Sequence, residues 1–76
     1  MTKRDKRIAA MRLNPKNVRP DELDAVLRGA GFEVQRQTGS HKIYAREAVS
    51  LSIPQDKPFI KEVYVRLALS YVEDER

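Results

Sequence analysis

Gly31 separates two periodicities in this chain, and the switch between them constrains the fold more than any other feature. Before it, Leu23, Val26, Leu27 and Ala30 recur at i, i+3, i+4 and i+7, the spacing of one buried helical face. Pro20 suits the first helical position, where a missing N–H costs nothing. Asp21 and Glu22 sit in the first turn, where the helix dipole favours negative charge. Gly31 suits the left-handed stop of such a helix. After it, the period drops to two. Phe32 and Val34 point inward and Glu33 and Gln35 outward, as in a half-buried strand. The pattern predicts a helix over 20–30 and a strand over 32–37.

The same reading extends along the chain. Thr38-Gly39-Ser40 is a hairpin turn, with Gly39 free to take positive φ. Residues 41–46 form the second strand, and Glu47-Ala48 is a short connection. Val49, Leu51 and Ile53 alternate with Ser50 and Ser52 in a third strand that Pro54 ends. Asp56-Lys57-Pro58 opens a last helix, with Asp56 or Lys57 as its cap, running to about residue 71 or 72. Its predicted apolar face is Ile60, Val63, Tyr64, Leu67, Ala68 and Tyr71, widened by Phe59, Val65 and Leu69. Upstream, residues 2–13 form a short helix with a weak stripe of Ile8, Met11 and Leu13, ended by Asn14-Pro15. Residues 14–19 read as a linker. The predicted class is α+β: two helices on one face of a three-stranded antiparallel meander, plus a basic N-terminal helical extension. Seventy-six residues allow one domain. It divides into the extension (1–19), a core (20–72) and an acidic tail (73–76).

Charge and composition narrow the function classes. The extension carries Lys3, Arg4, Lys6, Arg7, Arg12, Lys16 and Arg19 against the single acid Asp5. A basic arm on a near-neutral body suggests a polyanionic partner or an acidic protein; a solvated tail is the plainer alternative. There are no cysteines, which suits a reducing cytoplasm and excludes disulfides and thiolate metal sites. One histidine and scattered carboxylates argue against a zinc site, so no metal or cofactor is expected. No stretch is long and apolar enough to cross a membrane.

The lone histidine, His41, follows Gly39-Ser40 at the start of the second strand. Imidazole exchanges protons near neutral pH, its unperturbed pKa being roughly 6.5. Alternation puts His41, Ile43 and Ala45 on one side of that strand and Lys42, Tyr44 and Arg46 on the other. If the helices cover the Ile43 side, His41 lies at the margin of the layer. Metal-free RNA cleavage needs a base for the 2′-hydroxyl, cationic donors for the phosphorane-like charge and an acid for the leaving oxygen. His41 supplies one proton-transfer role. Lys42, Arg36 or Arg46 would steady the phosphate, as would the Gly39 and Ser40 amides. With no second histidine, the partner is Tyr44, a lysine or water. The plainer alternative is a histidine that hydrogen-bonds a turn, with Tyr44 a packing residue and Lys42 and Arg46 solvated.

The residues Gly31-Phe32, and then the run from Arg36 through Gly39-Ser40-His41-Lys42-Ile43 to Tyr44, resemble the HicA family of toxins of type II toxin–antitoxin systems. The segment Asn17-Val18 to Leu23 and Lys57-Pro58-Phe59 are also similar to one branch of it, so the likeness spans roughly 14–69. The resemblance implies a fold like a double-stranded-RNA-binding domain, α-β-β-β-α. It implies mRNA cleavage, with His41 as the catalytic residue, and a HicB-type antitoxin that covers the site. Three features depart from the family pattern. Lys42 stands where many members have a second histidine, the connection at Glu47-Ala48 is short, and the basic extension is not general. Two other functions remain open from sequence: a non-catalytic RNA-binding module, which would read shape, 2′-hydroxyls and phosphates, and a protein-interaction module docking through the basic arm.

Overall fold

A computed structural model describes residues 2–72; the acidic tail lies outside the described residues. The elements are α1 (Lys3–Leu13), a 3-10 turn (Pro15–Asn17), α2 (Pro20–Gly29), β1 (Glu33–Thr38), β2 (His41–Arg46), β3 (Val49–Pro54) and α3 (Glu62–Leu69). The strands form an antiparallel sheet in the order β1-β2-β3, with helices on one face. The α+β arrangement is the one the two periodicities predict.

Helix α2 begins at Pro20 and closes at Ala30, and Gly31 takes φ +96°. The Arg19 amide donates to Glu22 Oε1 (3.0 Å), satisfying one free donor at the helix start. Leu23, Val26 and Leu27 are buried, as their spacing requires.

The N-terminal segment is part of the core. Thr2 caps α1 by a capping box with Asp5: the Asp5 amide donates to Thr2 Oγ1 (3.1 Å) and the Thr2 amide to Asp5 Oδ2 (3.3 Å). Ile8 and Met11 are buried in the same cluster as Leu27, Ile60 and Val65, whereas Leu13, expected in the stripe, is 87% exposed. Residues 14–19 are more than a linker, since Pro15 and Val18 are buried and the Val18 carbonyl accepts from the Ile60 amide at 2.8 Å.

That bond explains two departures in α3. Its helix starts only at Glu62, with Lys61 as N-cap, and not at Asp56-Lys57-Pro58. Ile60 is buried and its amide is engaged across the chain, so the residues before it bridge from β3 and do not coil. The buried face is also rotated from the expected one. Val65, Ala68, Leu69 and Val72 are buried, while Phe59, Val63, Leu67 and Tyr71 are exposed. Both sets satisfy helical spacing, and anchoring at Ile60 selects the first.

The largest correction concerns β2. The helices cover the Tyr44 side, not the Ile43 side. Tyr44 is 1% exposed and its hydroxyl donates to Asp24 Oδ1 of α2 at 2.6 Å. Lys42 Nζ lies 3.7 Å from the same oxygen. Arg46 donates to the Ala30 carbonyl (2.8 Å) and the Tyr71 carbonyl (3.2 Å), its guanidinium 4.4 Å from the Phe32 ring centroid. The cross-strand partners of Tyr44, namely Val34 and Leu51, share its face.

Burial raises the Tyr44 hydroxyl well above its ordinary value, and the hydrogen bond to the Asp24 carboxylate raises it further. Burial would raise Asp24 too, but the bonds from Tyr44 and Arg28 and the charge of Lys42 outweigh it and hold the carboxyl below its ordinary 3.8. A phenol raised in the folded state stabilises fully below its unfolded pKa of about 10, and that contribution is lost as pH rises beyond it. A carboxyl lowered in the folded state stabilises above about pH 3.9 and loses that contribution as pH falls further. Tyr44→Phe is expected to cost about 1.5–3 kcal/mol at neutral pH, the range for a bond to a charged acceptor. Denaturant unfolding at pH 8 and pH 11 should show the wild type losing more stability on the alkaline side than the variant. Ile8→Ala is expected to cost about 2–5 kcal/mol, and Leu13→Ala no more than about 0.5 kcal/mol; thermal or denaturant unfolding of the two variants checks that α1 belongs to the core.

Candidate active site on the open face of the sheet

With the Tyr44 side covered, the other side of the sheet carries no helix among the described residues. Cross-strand pairing defines what it presents. His41 faces Thr38 of β1 and Pro54 of β3; Ile43 faces Arg36 and Ser52; Ala45 faces Glu33 and Ser50. His41, Arg36, Thr38, Ser50 and Ser52 are exposed, and Ile43 and Ala45 half-buried. The face is a shallow platform with a small apolar centre and a hydroxyl-rich margin.

Arg36 reaches this face because β1 is irregular. Strict alternation from Val34 would put Arg36 on the covered side. The register instead shifts between Val34 and Arg36, so that Val34 pairs with Tyr44 and Arg36 with Ile43, leaving Gln35 as the extra residue. A bulge of this kind re-aims the side chain that follows it. The shift brings the guanidinium to the side that carries the imidazole.

The hairpin positions His41. Gly39 takes φ +55° with open space around it, and only two residues join β1 to β2. Short loops with positive φ match the twist of the flanking strands. The far side of the turn is tied down, because the Ser40 carbonyl accepts from the Gln55 amide at 2.6 Å. His41 Nδ1 lies 3.4 Å from Ser40 Oγ, while Nε2 has no hydrogen bond among the described residues. A base whose outer nitrogen is free and whose inner nitrogen has a hydroxyl neighbour can accept a proton from a bound substrate.

The sequence-predicted residues therefore fall into two groups. His41, Arg36, Gly39 and Ser40 share the open face or the turn that borders it. Lys42, Tyr44 and Arg46 belong to the covered side, where each has a protein partner. Tyr44 is sealed in the core and holds its proton tightly, so it is out of reach as a catalytic acid for a ligand on the open face. The polar platform residues Glu33, Thr38, Ser50 and Ser52 are absent from the residues expected from sequence. Thr38 was legible in principle, since a two-residue turn sets 38 opposite 41. Asp24 was also missed; its only sequence signal is the spacing to Arg28, with which it makes an i, i+4 ion pair at 2.9 Å. Among the described residues no group of three His, Cys, Asp or Glu side chains is assembled to hold a metal, and no helix is long and apolar enough to cross a membrane. No protein-family model matches the chain, and neither a curated protein nor a solved structure is detectably similar to it.

Proposed function

We propose that the chain is an endoribonuclease toxin that binds mRNA on the open face of its sheet and cleaves it through His41. The observation that carries the reading is the exposed imidazole with a free Nε2 on a helix-free face that also bears Arg36. The likeness of the Gly39-Ser40-His41 run and its flanks to the HicA toxins supports it independently. In this scheme His41 takes the 2′-hydroxyl proton, the 2′-oxygen attacks the adjacent phosphorus, and the bond to the 5′-oxygen breaks. Arg36 offsets the charge that gathers on the phosphoryl oxygens. Water protonates the leaving oxygen, because Tyr44 is committed to Asp24 and Lys42 lies on the covered side. The work is cytoplasmic, and a HicB-type antitoxin neutralises the toxin by covering the same face.

The burial of Tyr44 also favours a second reading, a non-catalytic RNA-binding module, since it removes the phenol as a proton-transfer partner for His41. One experiment separates the two. The purified protein and its His41→Ala variant are incubated with a defined RNA in the presence of a chelator. The toxin reading expects cleavage by the wild type and a loss of about 10²-fold or more in the variant, the usual share of general acid–base catalysis. It also expects growth arrest on expression of the wild type, relieved by His41→Ala. Equal cleavage by the variant would remove His41 from the chemistry. No cleavage by either, with salt-sensitive binding by both, would leave the binding module.

A further inference from the structure

The cations of α1 are sorted by direction. Arg4 lies against Gly29 of α2, and Arg12 donates to the Val72 carbonyl at 3.0 Å. Asp5, the only acid of the helix, is buried at its cap. The side chains of Lys3, Lys6 and Arg7 are exposed and make no ion pair or hydrogen bond among the described residues. With Ala10 they occupy i, i+3, i+4 and i+7, a single exposed stripe beside the buried face of Ile8 and Met11.

Like charges at these spacings repel, and an isolated fold gains nothing from placing them so. The other two helices interleave acids with bases, as in Asp24–Arg28 and Glu62–Arg66. The stripe on α1 has no such relief. It also borders a groove of about 470 Å³ between α1 and the 3-10 turn, whose polar lining is Lys6, Arg7, Asn14, Asn17 and Glu22 and whose remaining lining is apolar. Its one acid, Glu22, accepts from the Arg19 amide. Two cations and two side-chain amides thus line one concave surface, and Lys3 extends its charge along the helix. Phosphate oxygens accept from this combination of Lys, Arg and Asn.

We infer that the outward stripe of α1, with the adjoining groove, binds the phosphodiester backbone of a nucleic acid at a place distinct from the His41 face. Helix α1 packs against α2 and α3, the helices of the covered side, so its stripe lies off the open face of the sheet. Contacts there carry no base information; they add affinity uniformly and make it dependent on salt. The inference does not rest on cleavage.

The test measures binding of a fully 2′-O-methylated RNA oligomer by fluorescence anisotropy over a range of salt. That probe cannot be cut by 2′-hydroxyl attack, so binding is read apart from catalysis. In the full chain, Lys3→Gln, Lys6→Gln and Arg7→Gln are combined. The expected result is affinity weaker by roughly tenfold or more near 100 mM salt, with the slope of log K against log salt reduced by about 2, as three lost single-strand contacts require. Thermal unfolding should be unchanged or improved, because repulsion is removed. Should the triple variant fold poorly, Lys6→Gln alone is expected to reduce the slope by about 0.7. Because the probe cannot be cut, a failure of the cleavage reading leaves this result intact. Unchanged affinity and slope in the triple variant would overturn the inference. So would a polyglutamate peptide that binds the wild type as tightly as the RNA does, since that outcome assigns the stripe to an acidic protein.

Discussion

The hydroxyl of Tyr44 meets Asp24 across 2.6 Å, and the rest of the layout follows from which side of β2 that bond pulls under the helices. A strand alternates strictly, so burying Tyr44 covers Lys42 and Arg46 and exposes His41 and Ile43. A buried phenol needs an acceptor, and a half-buried carboxylate needs donors and countercharge; each meets the other's requirement. Lys42 and Arg28 complete the charge balance around Asp24. Arg46 reinforces the same choice of side by closing two backbone carbonyls at the ends of α2 and α3. Polar side chains that look ligand-directed in the sequence are thus the ones that fasten the helices to the sheet.

Much of the architecture was legible because its periods are unambiguous. The stripe of Leu23, Val26 and Leu27 admits only a helix, and the Gly31 stop and the Gly39 turn need backbone conformations that other residues resist. What stayed hidden shares one physical cause. Where two faces carry enough apolar surface, period alone does not choose between them. On β2, Ile43 and Tyr44 compete, and a long-range bond to Asp24 decides. On α3, two interleaved apolar sets compete, and the Ile60–Val18 bond decides. The bulge after Val34 is a third case, because an extra residue leaves no mark on local hydrophobicity yet turns Arg36 over. The basic N-terminal segment hid its role for a related reason. Its high charge makes the stripe of Ile8 and Met11 read as weak, although these two side chains make α1 a core element.

For the candidate site, the sequence located the imidazole and its turn but enlarged the company around it. Of the four cationic or phenolic residues expected near His41, only Arg36 shares its face. A face with one imidazole, one guanidinium, a margin of hydroxyls and the Glu33 carboxylate at its far end is sparse for catalysis. On the proposed reading turnover would be slow, which would suffice for a growth-arresting enzyme. On the same reading, sparse chemistry on the sheet and unrelieved charge on α1 would be complementary, with affinity drawn largely from phosphates.

The central claim is that the helix-free face of the sheet is the surface that meets RNA. Amide chemical-shift mapping on the folded chain, titrated with a short RNA bearing 2′-O-methyl groups, tests it most directly. The account predicts that the resonances of Thr38, His41, Ile43 and Ser52, together with the His41 ring, move in parallel with saturation, while the buried Tyr44 and Asp24 stay nearly still. Saturable binding that leaves the His41 ring and its cross-strand neighbours unmoved would contradict it.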